Sequence, residues 1–380
     1  MNFIEKRTLK VKVITPVHIT DGHEGAILPT DYVISQDNIL YRIDLTRFIF
    51  MMPESQRKDL YSLIETENIR AVRSLVKDCW AENPGLYKAA ILYSLDPGDL
   101  AVDYRNMDEE KESRLQITPF QRSSGNLLIP GSSVKGPLRT ALLHRRNLPD
   151  GIDIPLNVPK HDISKQKRNN DTETKKLESE AFGYKVYDPY KKRDKTVVAL
   201  DPFKCLKISD ALIQSSGRIR KVHPVTLDEL KKEKDGKKEK DIDIFNEFID
   251  IDTTFHCKAG LDTRYFKTGS CNIGKTFTFY NIIYASKIFY NDLIRHELSE
   301  FVDDYSKIKG DSTVCDLYSN LLEMNESANS FVMRLGRFGG MNSKSLNMIN
   351  KKGKHPKSRN FINVGGVFLP PGWVHVTVES

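Results

Sequence analysis

The stretch Ile129–Arg146, IPGSSVKGPLRTALLHRR, has the residue types of a phosphate-binding loop. Gly131 and Gly136 stand five apart, Lys135 lies between them, and a run of helix-forming residues follows. A Walker A loop reads G-x-x-x-x-G-K-[ST], where the lysine reaches the phosphates and the hydroxyl holds magnesium. Here Pro137 occupies the lysine position and Leu138 the hydroxyl position, so an ATPase reading fails on the residues themselves. Simpler anion chemistry survives. Ser132 or Ser133 can cap a helix, and Pro137 is tolerated in the first turn, where N–H groups have no helical partner. Free N–H groups at such a start attract phosphate. Lys135, Arg139 and Arg146 share a stripe beside the apolar face of Leu138, Ala141 and Leu142. A capped surface helix with solvated charges is the plainer alternative.

Charge distribution extends the anion reading beyond one helix. The chain of 380 residues carries a formal net charge of +7. No acid occurs from Ser113 to Pro149, which holds Arg114, Arg122, Lys135, Arg139, Arg145 and Arg146. None occurs from Arg334 to Asn360, which holds Arg334, Arg337, Lys344, Lys351, Lys352, Lys354, Lys357 and Arg359. These fourteen cations are twice the net charge, so the rest of the chain is net negative. Two basic, glycine-containing segments far apart in sequence predict one polyanion-binding surface. By contrast, Asp228–Asp243 mixes six lysines with seven acids and reads as a solvated loop.

Other chemistries find little support. The five cysteines are scattered, with no C-x-x-C pair, which argues against a zinc ribbon or a disulfide framework and for a reducing cytosol. No metal or cofactor is expected. The N-terminus has no secretory pattern, and no run approaches the roughly 18 apolar residues of a membrane span. His18 lies near Pro16 without a second histidine at ligand spacing, so a packed loop histidine is its plain reading.

Leu9, Val11 and Val13 alternate with lysines and predict a strand. Residues 45–112 read as a helical insertion or lid, 150–200 as a polar arm or thumb, and 214–250 as a charged loop. Asn126–Ile129, 203–213 and 275–285 read as strands. Helices are predicted after Gly131, over about 291–305 and over 313–324, before a last strand in which Val374, Val376 and Val378 alternate with polar residues. Without insertions the order is strand, helix, strand, strand, helix, strand. The expected class is therefore α+β, with a ferredoxin-like βαββαβ core in a single domain spanning residues 1–380.

Three glycine loops punctuate this order: TPVHITDGHEGAILPTDYVI (15–34), IPGSSVKGPLRTALL (129–143) and RLGRFGGMNSKSLN (334–347). In sequence and order they resemble the RAMP superfamily of CRISPR effector subunits. Within it they are most like the Csm-type subunits of type III-A systems that cap the backbone filament at the 3′ end of the guide RNA (crRNA). The resemblance implies a non-catalytic RNA-binding subunit. Its partners would be the crRNA, other Csm subunits, target single-stranded RNA and host nucleases that trim the guide. The implied RNA contacts are His18 and Gly22 in the first loop, and Gly131, Ser132, Ser133, Lys135, Gly136 and Arg139 in the second. The third supplies Arg334, Gly336, Arg337, Gly339, Gly340 and Lys344. Glycines admit close backbone approach, and phosphate contacts suit a subunit that must accept any guide sequence. In sibling subunits an aspartate in the comparable loop cuts target RNA, which makes Asp31 a candidate; its P-T-D-Y context differs, and a structural or RNA-proximal role is expected. An endoribonuclease that processes guide precursor, and the corresponding type III-B subunit, are the alternative readings.

Overall fold

The computed structural model describes residues 3–20, 25–105, 115–146, 178–179, 182, 184–197, 200–234, 245–262, 264, 277–344 and 357–380. Its central sheet is built on β1 (Ile4–Val13), where Leu9, Val11 and Val13 are buried while Lys10 and Lys12 are exposed. The other strands are β2 (Leu206–Ile208), β3 (Thr254–Asp262), β4 (Ser330–Arg334) and β5 (Trp373–Glu379), arranged β2-β3-β1-β5-β4 with every pair antiparallel. A one-residue slip of β1 would expose three apolar side chains, each contributing roughly 1.5–3 kcal/mol, and bury lysines in their place. That penalty sets the register Leu9–Cys257 and Leu9–Val378.

Helix α1 (Gly131–Arg146) lies between β1 and β2 in the chain, and helix α2 (Phe279–Glu297) between β3 and β5. The two helices pack on each other and join the apolar side of the sheet in one core. From α1 that core takes Val134, Leu138, Ala141 and Leu142, and from α2 Ile282, Phe289, Leu293 and Ile294. With β4 as an added edge, the path is strand, helix, strand, strand, helix, strand. This is the split βαβ order.

Several elements differ from the sequence reading. Residues 279–285 are helical, not a strand. Their Phe, Tyr and Ile content favours strands, but burial of Phe279, Ile282, Ile283, Phe289 and Tyr290 follows the helical period, and Thr278 caps the start by accepting from the Asn281 N–H at 3.2 Å. The third core strand is instead β3. Its inward set, Phe255, Cys257, Ala259 and Leu261, includes two small residues, so its alternation is faint in sequence. Asn126–Ile129 is a strand, but it pairs with Ala211–Ile213 outside the central sheet.

The stretch 214–250 is a further correction. It contains the nine-residue strand Arg218–Thr226 and the strand Phe245–Phe248, two of the three interior strands of a second five-stranded sheet, with the helix Leu227–Lys234 between them. Charges in RIRKVHPVT conceal the inward Ile219 and Val222. Residues 235–244 lie outside the described residues. The block 45–105 folds three helices, Leu45–Met51, Glu54–Glu65 and Ile69–Glu82, around their own core of Phe48, Leu60, Val76 and Trp80, and it also supplies the strand Ile91–Leu95. Of 150–200, the described part includes a hairpin pairing Lys185–Asp188 with Arg193–Thr196.

Two glycines in α1 are expected to respond oppositely to alanine. A Cβ on Gly131 would sit 2.1 Å from the Ile208 carbonyl oxygen, whereas one on Gly136 meets nothing within 4 Å. Gly131→Ala should lower stability by at least about 2 kcal/mol through forced backbone displacement. Gly136→Ala should raise it by about 0.5–1 kcal/mol by removing a flexible residue from a helix. Denaturant midpoints of the two variants check the pair.

Candidate nucleic-acid interface

The first and third glycine loops are joined through backbone. After β1 the chain turns at Pro16, and its carbonyl accepts from the Gly372 N–H at 2.9 Å; the Gly372 carbonyl accepts from the Leu335 N–H at 2.7 Å. Two residues further, the His18 carbonyl accepts from the Arg337 N–H at 3.0 Å. Gly336 makes that approach possible. Its φ is +90°, and an added Cβ would lie 2.2 Å from the His18 oxygen.

His18 itself is buried inside this joint. Its Nδ1 lies 2.7 Å from the Glu247 carbonyl, an acceptor only, so Nδ1 carries the proton. Phe120, Phe248 and Phe338 surround the ring with centroids at 6.1, 5.4 and 5.5 Å. Burial lowers its pKa to about 4, the Glu247 hydrogen bond opposes that, and Arg337 assists it. The ring therefore stays neutral near pH 7 and works as a packed strut. Phe338 belongs to the same packing. Gly22 lies outside the described residues.

In the second loop, the acceptor at the helix start comes from across the sheet edge: Asp210 Oδ1 takes the Gly131 N–H at 2.8 Å. Ser132 and Gly136 are exposed, and Ser133 and Lys135 half-buried. Arg139 is committed elsewhere. Its guanidinium bridges Asp201 at 2.9 Å and Glu178 at 3.1 Å and lies over the Phe182 and Phe203 rings. Burial opposes its charge, but the two carboxylates outweigh that and raise its pKa.

The third loop divides in the same way. Arg334 is only 6% exposed, donates from Nε to the Pro371 carbonyl at 3.2 Å and lies over Trp373. Gly339 is packed against Ser343 and the Arg334 side chain, and Gly340 takes φ +80°. Behind them Glu297 accepts from Asn342 at 2.8 Å and pairs with Arg359 at 2.6 Å. Burial would raise that carboxyl, but Arg359 and Arg334 outweigh it and hold it below the ordinary range. Arg337 and Lys344 face solvent. No salt bridge among the described residues engages either side chain, and Lys344 Nζ donates to the Arg337 carbonyl at 3.3 Å.

The Asn342–Lys344 turn also packs against α1, which brings the third loop to the second. The result is a structural joint carrying a smaller set of cations with no salt-bridge partner among the described residues: Lys135, Arg337 and Lys344. A fourth, Lys207 on β2, escapes motif reading because it belongs to none of the three glycine loops. It is exposed and close enough to depress Lys135. Burial first, then Lys207, lowers the Lys135 pKa; burial first, then Arg334 and Arg337, lowers that of Lys344. Ammonium groups crowded by like charge gain from a bound anion. Asp31 is held in its turn, accepting from the Leu28 N–H at 3.3 Å and pairing with Arg42 at 3.4 Å. Among the described residues, no group of three histidine, cysteine or carboxylate side chains could hold a metal ion, and no helix is long and apolar enough to cross a membrane.

Two outcomes are expected. Arg334→Ala should cost about 2–3 kcal/mol, since it removes a buried cation beside Glu297, while Arg337→Ala should change stability by less than about 0.5 kcal/mol; urea midpoints separate them. The pH dependence follows from His18. Its folded pKa lies below the unfolded value, so the unfolded chain takes up a proton first. The stability it contributes is complete above about pH 6.5 and is lost as pH falls toward 4, by up to about 3 kcal/mol. His18→Asn keeps a donor for Glu247 but cannot titrate, and should lose correspondingly less between pH 7 and 4.5.

Known proteins resemble this chain in sequence family and in fold. Residues 10–340 match the RAMP superfamily. The "CRISPR system Cms protein Csm5" of Methanocaldococcus jannaschii is 26% identical over 349 residues, covering 89% of this chain and 72% of that one. The crystal structure of T. onnurineus Csm5 superposes with a TM-score of 0.63 at 21% identity, over 96% of this chain and 99% of that one. A chain in a cryo-EM structure of a Csm-crRNA-target RNA ternary complex from a type III-A CRISPR-Cas system superposes with a TM-score of 0.62 at 18% identity, over 98% and 100%. Membership of the family implies a ferredoxin-like core, with which the split βαβ order agrees. The chain belongs to the RAMP superfamily, and within it is related to Csm5 of type III-A CRISPR systems.

Proposed function

We propose that this chain is the Csm5-type subunit of a type III-A Csm–crRNA complex, that it binds the guide near its 3′ end, and that it is needed for guide maturation. The observation that carries the reading is the glycine joint, which presents Arg337 and Lys344 to solvent, unpaired with acids among the described residues, beside the helix that bears Lys135. Its cations sit on a rigid base, because Gly336 and Gly131 lock their loops to neighbouring backbone. Such a site takes phosphates without reading bases. A protein seated there would control which host nucleases reach the guide end.

The proposed role is binding and assembly, not catalysis. His18, the histidine of the first loop, is enclosed by three phenylalanines, and Asp31 is tied to Arg42. An endoribonuclease reading needs an accessible acid–base pair; the histidine is a buried ring, and the carboxylate, in a separate turn, is already paired.

Two experiments test the proposal. Lys135, Arg337 and Lys344 changed together to Ala should weaken single-stranded RNA of every sequence alike, and lower the slope of log K against log salt by roughly 2. Guides from the purified mutant complex should keep an untrimmed intermediate length, or the complex should lose this subunit. Normal guide lengths with the subunit still bound would refute the maturation role. In the second, Asp31→Ala should leave target cutting by the whole complex intact; disappearance of one specific product would make Asp31 catalytic.

A further inference from the structure

The helices cover one side of the central sheet, and the other side of β2, β3 and β1 faces solvent. Its outward residues are Lys207 on β2; Thr254, His256, Lys258, Gly260 and Asp262 on β3; and Ile4, Lys6, Thr8, Lys10 and Lys12 on β1. Lys6, Lys10, Lys12, Lys207 and Lys258 are all exposed. The register aligns them: Lys207 and Lys6 flank Gly260, Lys258 stands opposite Thr8, and Lys10 opposite His256.

We infer that this open face is a second polyanion surface, over which the backbone of a single-stranded RNA runs from the glycine joint. Three observations support an RNA backbone as the occupant. First, the face carries cations and small polar residues but no tyrosine, tryptophan or phenylalanine. Protein interfaces are depleted in lysine and anchored by aromatic residues, whereas phosphate contacts need only positive charge. Second, two of the acids on or beside this face are already engaged: Asp252 pairs with Lys12 at 2.9 Å and Asp262 with Arg264 at 2.6 Å. Glu379, opposite Thr8 on the neighbouring β5, is an exposed acid at the β5 border of this face. Third, Lys207 is near enough to Lys135 at the start of α1 to depress it, so positive charge continues from the joint around the β2 edge onto the sheet. Same-face side chains recur about every 6.7 Å along a strand and about 4.8 Å across strands, giving a grid of cations instead of a single pocket. Gly260 adds no side chain of its own between Lys207 and Lys6, and the Ile4 side chain packs beside it, 3.5 Å from where a Cβ would lie.

The inference builds on the RNA-binding reading and is tested apart from it. Lys6, Lys10 and Lys258 are changed together to Ala in one full-length variant and to Arg in another, with Lys135/Arg337→Ala as the joint variant. Binding of fluorescein-labelled oligouridine is measured by anisotropy over a salt series. The alanine set should keep the wild-type circular dichroism and melting curve, because all three side chains are exposed. It should bind at least about tenfold more weakly at 0.1 M salt with a salt slope shallower by roughly 2–3, and the arginine set should bind as wild type. An alanine set that binds with wild-type affinity and slope overturns the open face while leaving the joint. The same holds if RNA binding is unchanged but the subunit drops out of the assembled complex, which would assign the face to an acidic protein surface. A wild-type chain that binds no RNA overturns the RNA-binding reading itself.

Discussion

The exit of β1 and the loop after β4 are held together by main-chain hydrogen bonds: Gly372 to Pro16, Leu335 to Gly372 and Arg337 to His18. Main-chain contact at this distance leaves no room for a Cβ. At Gly336 it would lie 2.2 Å from the His18 oxygen, and at Gly372, where φ is +97°, 2.7 Å from the Leu335 oxygen. The glycines of the third loop are therefore as much about protein meeting protein as about protein meeting RNA. The direction of Arg337 is inherited from this joint, because the residue whose N–H closes it is the one whose side chain points away into solvent.

Around the joint, charge is sorted by depth. Arg334, Arg139, Arg122 and Arg359 are drawn inward: Arg122 onto Glu247, Arg139 onto Asp201 and Glu178, Arg359 onto Glu297, and Arg334 against Trp373. A buried guanidinium without a carboxylate or carbonyl partner would be strongly destabilising, and its planar fork suits such pairing. Lysines populate the outside, at Lys135, Lys344, Lys207 and across the open sheet face. A flexible, strongly hydrated ammonium stays in water until an anion displaces that water. Arginines fasten the platform, and lysines, joined by Arg337, form its charged surface.

The inward arginines change the meaning of the acid-free stretches. Arg122 finds its carboxylate 125 residues away, and Arg139 and Arg359 find theirs 62 residues away. A segment without acids in sequence is thus not without acids in space, and a count of charges overstates the surface potential it predicts. The same long-range pairing explains why Arg139 joins the apparent stripe of Lys135 and Arg146 yet faces Phe182 and Phe203.

The sequence by itself determined whatever depends on local period and local chemistry. The alternation of Leu9, Val11 and Val13 makes β1, the spacing of Leu138, Ala141 and Leu142 makes α1, and Pro137 with Leu138 exclude a Walker loop. The three glycine loops and their order sufficed for the family. Tertiary structure decided what depends on contacts distant in the chain. Residues 279–285 are helical because one face must meet the sheet, and β3 is a strand because Cys257 and Ala259, weak signals alone, lie between β1 and β2. Lys207, outside every glycine loop in sequence, comes near Lys135 only because β2 carries it to the start of α1. Arg334 and Arg337, three residues apart and alike in any sequence reading, separated into a buried strut and an exposed cation because the main chain reverses through Gly336 between them.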